Sequence, residues 1–218
     1  MTSLSEENYL KTIFHLQKAF PEGVSTNALA EKLESKAGSV TEMLKKLSKK
    51  GLVEYKKYQG VKLSTKGKSD ALQVIRKHRL WEYFLVEKLE FSWAEVHEVA
   101  EQLEHIRSEK LVRELDRFLG YPRKDPHGDP IPDEEGNFAS SEKILLSELG
   151  AGEAGICVGV KDSSREFLEY LDKNEISLGK KIRVIDREDF DQSLLIKMEG
   201  QELHVSKAIS NNLFLKPE

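Results

Sequence analysis

The sequence predicts an α+β chain, mostly helical, in three parts: an amino-terminal winged helix-turn-helix, a helical middle, and a small β barrel at the end. Three observations carry this. Up to Leu63, three short stretches of helical period are followed by two strand-like runs around a lysine-rich tip. From Thr65 to Leu119 the helical spacing continues. From Glu153 onward short strands alternate with turn residues. The parts are expected at residues 1–72, 73–140 and 141–218.

Each element has a local signal. Ser3 and Glu6 form a possible capping box, and Tyr9, Ile13, Leu16 and Phe20 follow at helical spacing until Pro21 and Gly23 end the helix. Thr26 can cap a second helix through Leu33. A third runs from Ser39 to Lys50 with Val40, Met43, Leu44 and Leu47 as its apolar stripe, and Gly51 sits at the C-cap position. Strands are expected at Leu52 to Tyr55 and Val61 to Leu63, which completes the order of a winged helix. Thr65 can cap a long helix to Lys88. Ser92 with Glu95 starts another to His105, and Glu109 to Leu119 is a third. Tyr121 to Asn137 is rich in Pro, Gly and Asp and reads as loop, and Ser140 to Leu149 as a helical piece or spacer. The last part has strands at Ala154 to Val160, Lys181 to Asp186, Leu194 to Met198 and Glu202 to Val205, with one helix at Ser164 to Asn174.

Composition narrows the function classes. No apolar run approaches about 18 residues and no secretory signal opens the chain, so a cytoplasmic protein without a membrane span is expected. The single cysteine, Cys157, lies in an apolar run and reads as a buried thiol. The net charge of −4 conceals an asymmetry. Residues 1–72 hold 13 Lys against 8 acids, and residues 44–68 alone hold nine Lys against Glu54. A basic amino-terminal part on an acidic remainder suggests a nucleic-acid footprint, though a merely solvated lysine surface would look the same.

His97, Glu101, Glu104 and His105 fall on one face of the predicted helix after Ser92, apart from its apolar set of Val96, Val99, Ala100 and Leu103. Two imidazoles and two carboxylates are suitable donors for a divalent transition metal. A solvated face with an internal Glu101–His105 pair is the alternative, and spacing leaves both open. His78 and Glu82, one turn apart on the preceding helix, are a second, weaker pair. Gly150-Ala151-Gly152-Glu153-Ala154-Gly155 matches the dinucleotide fingerprint in letters, but it leads into a strand, so the helix N-terminus that binds pyrophosphate is missing. His97 to Glu101 approaches the zinc-protease pattern but ends in Glu. No arrangement of nucleophile, base and orienter is visible, so an enzyme is not expected.

These features together resemble the diphtheria toxin repressor family of metal-dependent regulators. The matching stretches include Ser39-Val40-Thr41, Leu63-Ser64-Thr65-Lys66-Gly67, Arg76-Lys77-His78-Arg79-Leu80-Trp81-Glu82, Val96-His97-Glu98, Glu104-His105 and Asp129-Pro130-Ile131-Pro132. The resemblance implies a helical dimerisation domain and an SH3-like, FeoA-type barrel at the end. It implies a primary metal site of Glu101, Glu104, His105 and Asn8. It implies an ancillary site of His78, Glu82 and His97, completed from the last domain by Glu166, with Asp162 in reserve; Ser163 departs from the acid of one branch. Glu101 stands where the iron-responsive branch has Cys, so Mn(II) is favoured as co-repressor, with Fe(II) possible and other divalent metals able to bind in vitro. Asn8 matches neither branch, and Lys11 stands where the manganese type has an acid, which argues against a two-metal cluster.

The expected function is a metal-dependent repressor of metal-uptake genes, a homodimer reading an inverted-repeat DNA operator. Lys36, Ser39, Thr41, Glu42 and Lys45 are expected at bases or phosphates in the major groove, and Lys56, Lys57, Tyr58 and Gln59 on the wing. A winged-helix regulator with a non-metal effector, or a metal-dependent enzyme, are the alternatives.

Overall fold

A computed structural model describes residues 2–56, 59–138, 143–162 and 164–217. The chain divides into two compact units. The first takes in the chain to residue 78, with 103–109 and 132–137; the second holds 79–102, 110–131 and 138–218.

The first unit begins with α1 (Leu4–Gln17), capped by the reciprocal Ser3–Glu6 box that the sequence predicts. Two further helices follow, α2 (Thr26–Lys32) and α3 (Ala37–Lys49). Ser25, not Thr26, caps α2, because its hydroxyl accepts the Ala28 amide. A hairpin of β1 (Val53–Lys56) and β2 (Gly60–Leu63) pairs Val53 with Leu63 and Lys56 with Gly60. Val24 adds a one-residue bridge to Val61. That approach needs glycine at 60, where φ is +83° and a Cβ would come within 2.9 Å of the Val24 carbonyl. Leu10 and Ile13 of α1, Leu29 of α2, and Val40, Leu44 and Leu47 of α3 are fully buried together with Val61. The three buried residues of α3 follow the i, i+4, i+7 rhythm of one helix face, which turns Ser39, Glu42 and Lys45 out to solvent.

Next come α4 (Thr65–Leu89), α5 (Trp93–Leu103) and α6 (Glu109–Phe118). Ser64 accepts the Gly67 amide and does the capping expected of Thr65. Ser92 and Glu95 bond each other at the start of α5 as predicted. That helix stops at Leu103, so Glu104 and His105 lie in the turn beyond it and not on the predicted helical face.

In the second unit a six-stranded antiparallel sheet runs in the order β3-β8-β4-β5-β6-β7. Its strands are β3 (Ile144–Leu145), β4 (Ala154–Val160), β5 (Lys181–Arg187), β6 (Leu194–Met198), β7 (Gln201–Val205) and β8 (Leu213–Pro217). Register shifts at Cys157/Gly159 and Val184/Asp186 bend two of these strands. Helix α7 (Arg165–Lys173) buries Phe167, Leu168 and Leu171 against Ile182, Val184, Ile196 and Leu215, and a short α8 (Lys207–Ser210) precedes the last strand. The segment expected as a helical spacer instead contains β3 and one 3-10 turn, Leu146–Glu148; residues 139–142 lie outside the described ones. The Gly150 to Gly155 stretch is a turn entering β4. Cys157 is buried, as expected.

Candidate metal centres and nucleic-acid interface

The first centre is built on α1 in the first unit. The capping box fixes the start of the helix; Glu7 and Lys11 then share a face at i and i+4, and Asn8 lies next to Glu7 in sequence. Glu104, fully buried, receives the Lys11 ammonium on both carboxylate oxygens, at 2.7 and 2.8 Å. His105 contacts Glu7 through Nδ1 at 2.7 Å and approaches Glu104 through Nε2 at 3.6 Å. His78 of α4 brings Nδ1 to 2.7 Å from Glu104 Oε2, a close approach without hydrogen-bond alignment. Asn8 Oδ1 is buried and has no hydrogen-bond partner among the described residues. A buried carbonyl without a donor costs free energy. A metal would relieve it, because an amide oxygen can ligate. The donors here are oxygens and imidazole nitrogens without sulfur, a set that fits Mn(II) or Fe(II).

Two members of this set, Glu7 and His78, are not expected here from the sequence. Glu7 precedes Asn8 on the same helix, and its spacing to Lys11 was the available signal. His78, which the resemblance places with Glu82 and His97, contacts Glu104 here. Glu101 lies in the second unit one turn from His97, with 3.5 Å between His97 Nε2 and Glu101 Oε1.

The second centre lies wholly in the second unit. Single donor atoms of Glu82, Asp125 and His127 come within 4.8 Å of one another, and all three residues are buried. The Trp93 carbonyl accepts from His127 Nε2 at 3.3 Å, so that nitrogen carries a proton. His127 Nδ1 then faces Glu82 Oε2 at 3.7 Å, and a neutral imidazole would set two acceptors against each other there. A proton or a metal ion between them would remove that clash. An N–H bonded to a carbonyl is also how metal-ligating histidines are usually oriented. Burial would lower the His127 pKa, but the nearby carboxylate of Glu82 and the charge of Asp125 lift it to about 8. Asp125 is pushed up to about 7 by burial and by the Glu82 charge, against the pull of Arg79. Glu82 Oε1 also accepts from His97 Nδ1 at 3.2 Å.

Backbone geometry holds this loop in place. Asp125 Oδ1 accepts the amides of His127 and Asp129, both at 2.9 Å. Arg79 bonds the Pro130 carbonyl and Asp129. Gly128, with φ +85°, lies so close to Val158 that a Cβ would fall 2.0 Å from its carbonyl oxygen. The His127 carbonyl accepts the Val160 amide at 2.8 Å, which brings the chain leading to Asp162 beside the loop. Asp162 itself accepts the Ser164 amide before α7, and Glu166 is exposed on the first turn of that helix. Ser163 lies outside the described residues. Sequence reasoning found Glu82 and His97 but missed Asp125 and His127, which belong to the Asp-Pro-His-Gly-Asp-Pro loop.

On α3, Lys36, Ser39, Glu42 and Lys45 are exposed, and no side chain caps the helix. Glu42 and Lys45 pair with each other at 2.8 Å, and the half-buried Thr41 donates its hydroxyl to the Ala37 carbonyl. Lys56 and Gln59 are exposed on the wing; Lys57 and Tyr58 lie outside the described residues. Lys46 and Lys50 have another task, since both hold the buried Glu6 of α1, at 3.2 and 2.8 Å. Burial would raise the Glu6 pKa, but Lys50, the Ser3 amide and Lys46 bring it down to about 2.

Each of the three parts of the chain is similar to a known domain. Residues 1–61 match the model of the iron dependent repressor N-terminal DNA binding domain. Residues 64–133 match the iron dependent repressor metal binding and dimerisation domain, and 144–217 the FeoA domain. The chain is 34% identical to the iron-dependent repressor IdeR of Mycobacterium leprae over 175 residues, covering 76% of this chain and 74% of that protein. It is 27% identical to the diphtheria toxin repressor of Corynebacterium diphtheriae, covering 95% and 94%. Among solved structures, a manganese-dependent transcriptional repressor in complex with manganese superposes with a TM-score of 0.83 at 32% identity, covering 98% of this chain and all of that one. With a DNA-binding domain, a metal-binding and dimerisation domain and a FeoA domain in that order, the chain belongs to the iron-dependent (diphtheria toxin) repressor family of metal-dependent transcriptional repressors.

Proposed function

We propose that this repressor takes Mn(II), or Fe(II), as co-repressor and binds an inverted-repeat operator as a homodimer in the cytoplasm, controlling metal-uptake genes; it is not an enzyme. One observation carries the reading: α1 bears the donor face of the first centre and also grips the recognition helix through Glu6. Glu7, Asn8, His78, Glu104 and His105 would hold the ion there. The assignment of Glu101 rests on the resemblance alone. Glu82, Asp125 and His127, with His97 and Asp162 beside them, would hold a second ion, and the exposure of Glu166 favours Asp162 over it. Bound metal would add positive charge to these converging oxygens and nitrogens beyond what Lys11 and Arg79 bring. Without it, Lys11 and Glu7 tie the turn carrying Glu104 and His105 to α1. Tightening that tie fixes α1, and Glu6 passes the constraint to Lys46 and Lys50 at the end of α3. For this to repress, metal must favour the DNA-competent arrangement over the alternatives. The exposed Leu111, Phe118 and Tyr121, on and just after α6, offer an apolar face for a second copy.

The test is operator binding by fluorescence anisotropy, titrated separately with Mn²⁺, anaerobic Fe²⁺ and Zn²⁺. Glu104→Ala is expected to stay dimeric and to lose the metal-dependent gain in affinity. His127→Ala should bind one ion fewer per subunit. A Glu104→Ala protein that responds to Mn²⁺ as wild type does would sink the assignment of the first centre.

A further inference from the structure

Lys11 brings an ammonium to the centre of the first metal site. It engages both oxygens of Glu104, and that carboxylate is wholly withdrawn from solvent. A buried carboxylate requires a counter-charge, and a side chain tethered to α1 supplies it. Glu104 also faces His78 Nδ1 and His105 Nε2, so the ammonium shares the carboxylate with two imidazoles that would serve an ion.

We propose that Lys11 is a tethered competitor for the co-repressor ion. It neutralises Glu104 when no ion is bound, yields or shares that carboxylate when one arrives, and so sets the metal concentration at which the repressor switches. The inference rests on the assignment of Glu104 to the metal site. Two physical effects work in the same direction. An arriving cation must take lone pairs already accepting hydrogen bonds from Nζ. Once there, it has a like charge as a neighbour. Both weaken metal binding relative to a site without the lysine. A sensor benefits from such a brake, since a site filled at trace metal would hold the uptake genes off permanently.

The experiment is Mn²⁺ binding to the full-length protein by isothermal titration calorimetry, with thermal melts in the presence and absence of Mn²⁺. The variants are Lys11→Met, Lys11→Arg and Glu104→Gln. Lys11→Met is expected to bind Mn²⁺ about tenfold or more tightly, the scale of one charged hydrogen bond. It should melt below wild type without metal and recover with it. Lys11→Arg keeps the charge and should stay near wild type. Unchanged or weaker Mn²⁺ binding by Lys11→Met, while Glu104→Gln binds one ion fewer per subunit, overturns the role of Lys11 and leaves the site assignment standing. Wild-type binding by Glu104→Gln overturns the site itself, and the proposal with it. If Lys11→Met folds only when Mn²⁺ is present, the ion has replaced the ammonium and the proposal is supported. If it does not fold even at saturating Mn²⁺, the lysine is a counter-ion that metal cannot replace, and the proposal fails.

Discussion

His127 and Cys157 show opposite uses of burial for a reactive side chain. His127 is buried beside the carboxylates of Glu82 and Asp125, where a cation is stabilised. Cys157 is buried among Leu215, Ile182 and other apolar residues, where an anion is not. Burial raises its thiol pKa to about 11, against a small opposing effect from the Gly159 amide. The folded protein therefore binds the thiol proton more tightly than the unfolded chain does. That contribution to stability is complete below the ordinary thiol pKa of about 9 and is lost as pH rises from there through about 11. In the native protein at neutral pH, Cys157 should resist a thiol-specific reagent and react at the rate of unfolding. Rapid, stoichiometric labelling without denaturant would contradict this placement. The cysteine was legible in sequence because an apolar run is a local signal. His127 was not, because its position between prolines and glycines has no period to read. Distant contacts such as the close approach of Gly128 to Val158 hold its loop in place.

At the scale of elements, the helices were legible and part of the sheet was not. Ser3 with Glu6, and Ser92 with Glu95, are capping pairs three residues apart, so the sequence contains both halves of each interaction. Strands β3 and β8 depend on each other: Ile144 pairs with Leu215 across most of the last domain. A two-residue strand has no alternation of its own to detect. The candidate metal face behaved the same way. Glu104 and His105 were found by residue type and resemblance, yet α5 ends before them, and it is the turn that delivers them to α1. The most consequential link between elements is Glu6, which the sequence identified only as a cap. Replacing it with Gln leaves a buried amide where two ammonium groups converged. Both lysines are partly exposed, so the loss should be modest, about 1–2 kcal/mol in urea denaturation. Glu6 is not a metal donor, so Glu6→Gln should bind Mn²⁺ like wild type. Its operator affinity should nevertheless rise less when metal is added. An unchanged metal-dependent gain would show that α1 communicates with α3 by another route.

Across the whole chain, charge is divided by domain. Residues 1–72 carry a net +5, and the rest of the chain a net −9. The acidic remainder repels a phosphate backbone, so DNA attraction is confined to the amino-terminal part. Not every lysine there is available: Lys46 and Lys50 hold Glu6, Lys11 holds Glu104, and Lys45 is paired with Glu42. Lys36 on the cap of α3 and Lys56 on the wing are exposed, and Lys45 can exchange its surface partner for a phosphate at little cost. Three such contacts per subunit make about six per dimer, for which log K should fall with log salt at a slope of about −5. Lys56→Glu should make that slope shallower by about 2 in the dimer and weaken operator and unrelated DNA alike, because a phosphate contact carries no sequence information. Ser39→Ala or Glu42→Ala should instead leave the slope in place and narrow the difference between operator and unrelated DNA. Anisotropy titrations at several salt concentrations, all at saturating Mn²⁺, measure both. A slope near zero, or a Lys56→Glu protein that loses only operator binding, would remove the wing from the electrostatic footprint and leave α3 as the sole contact with DNA.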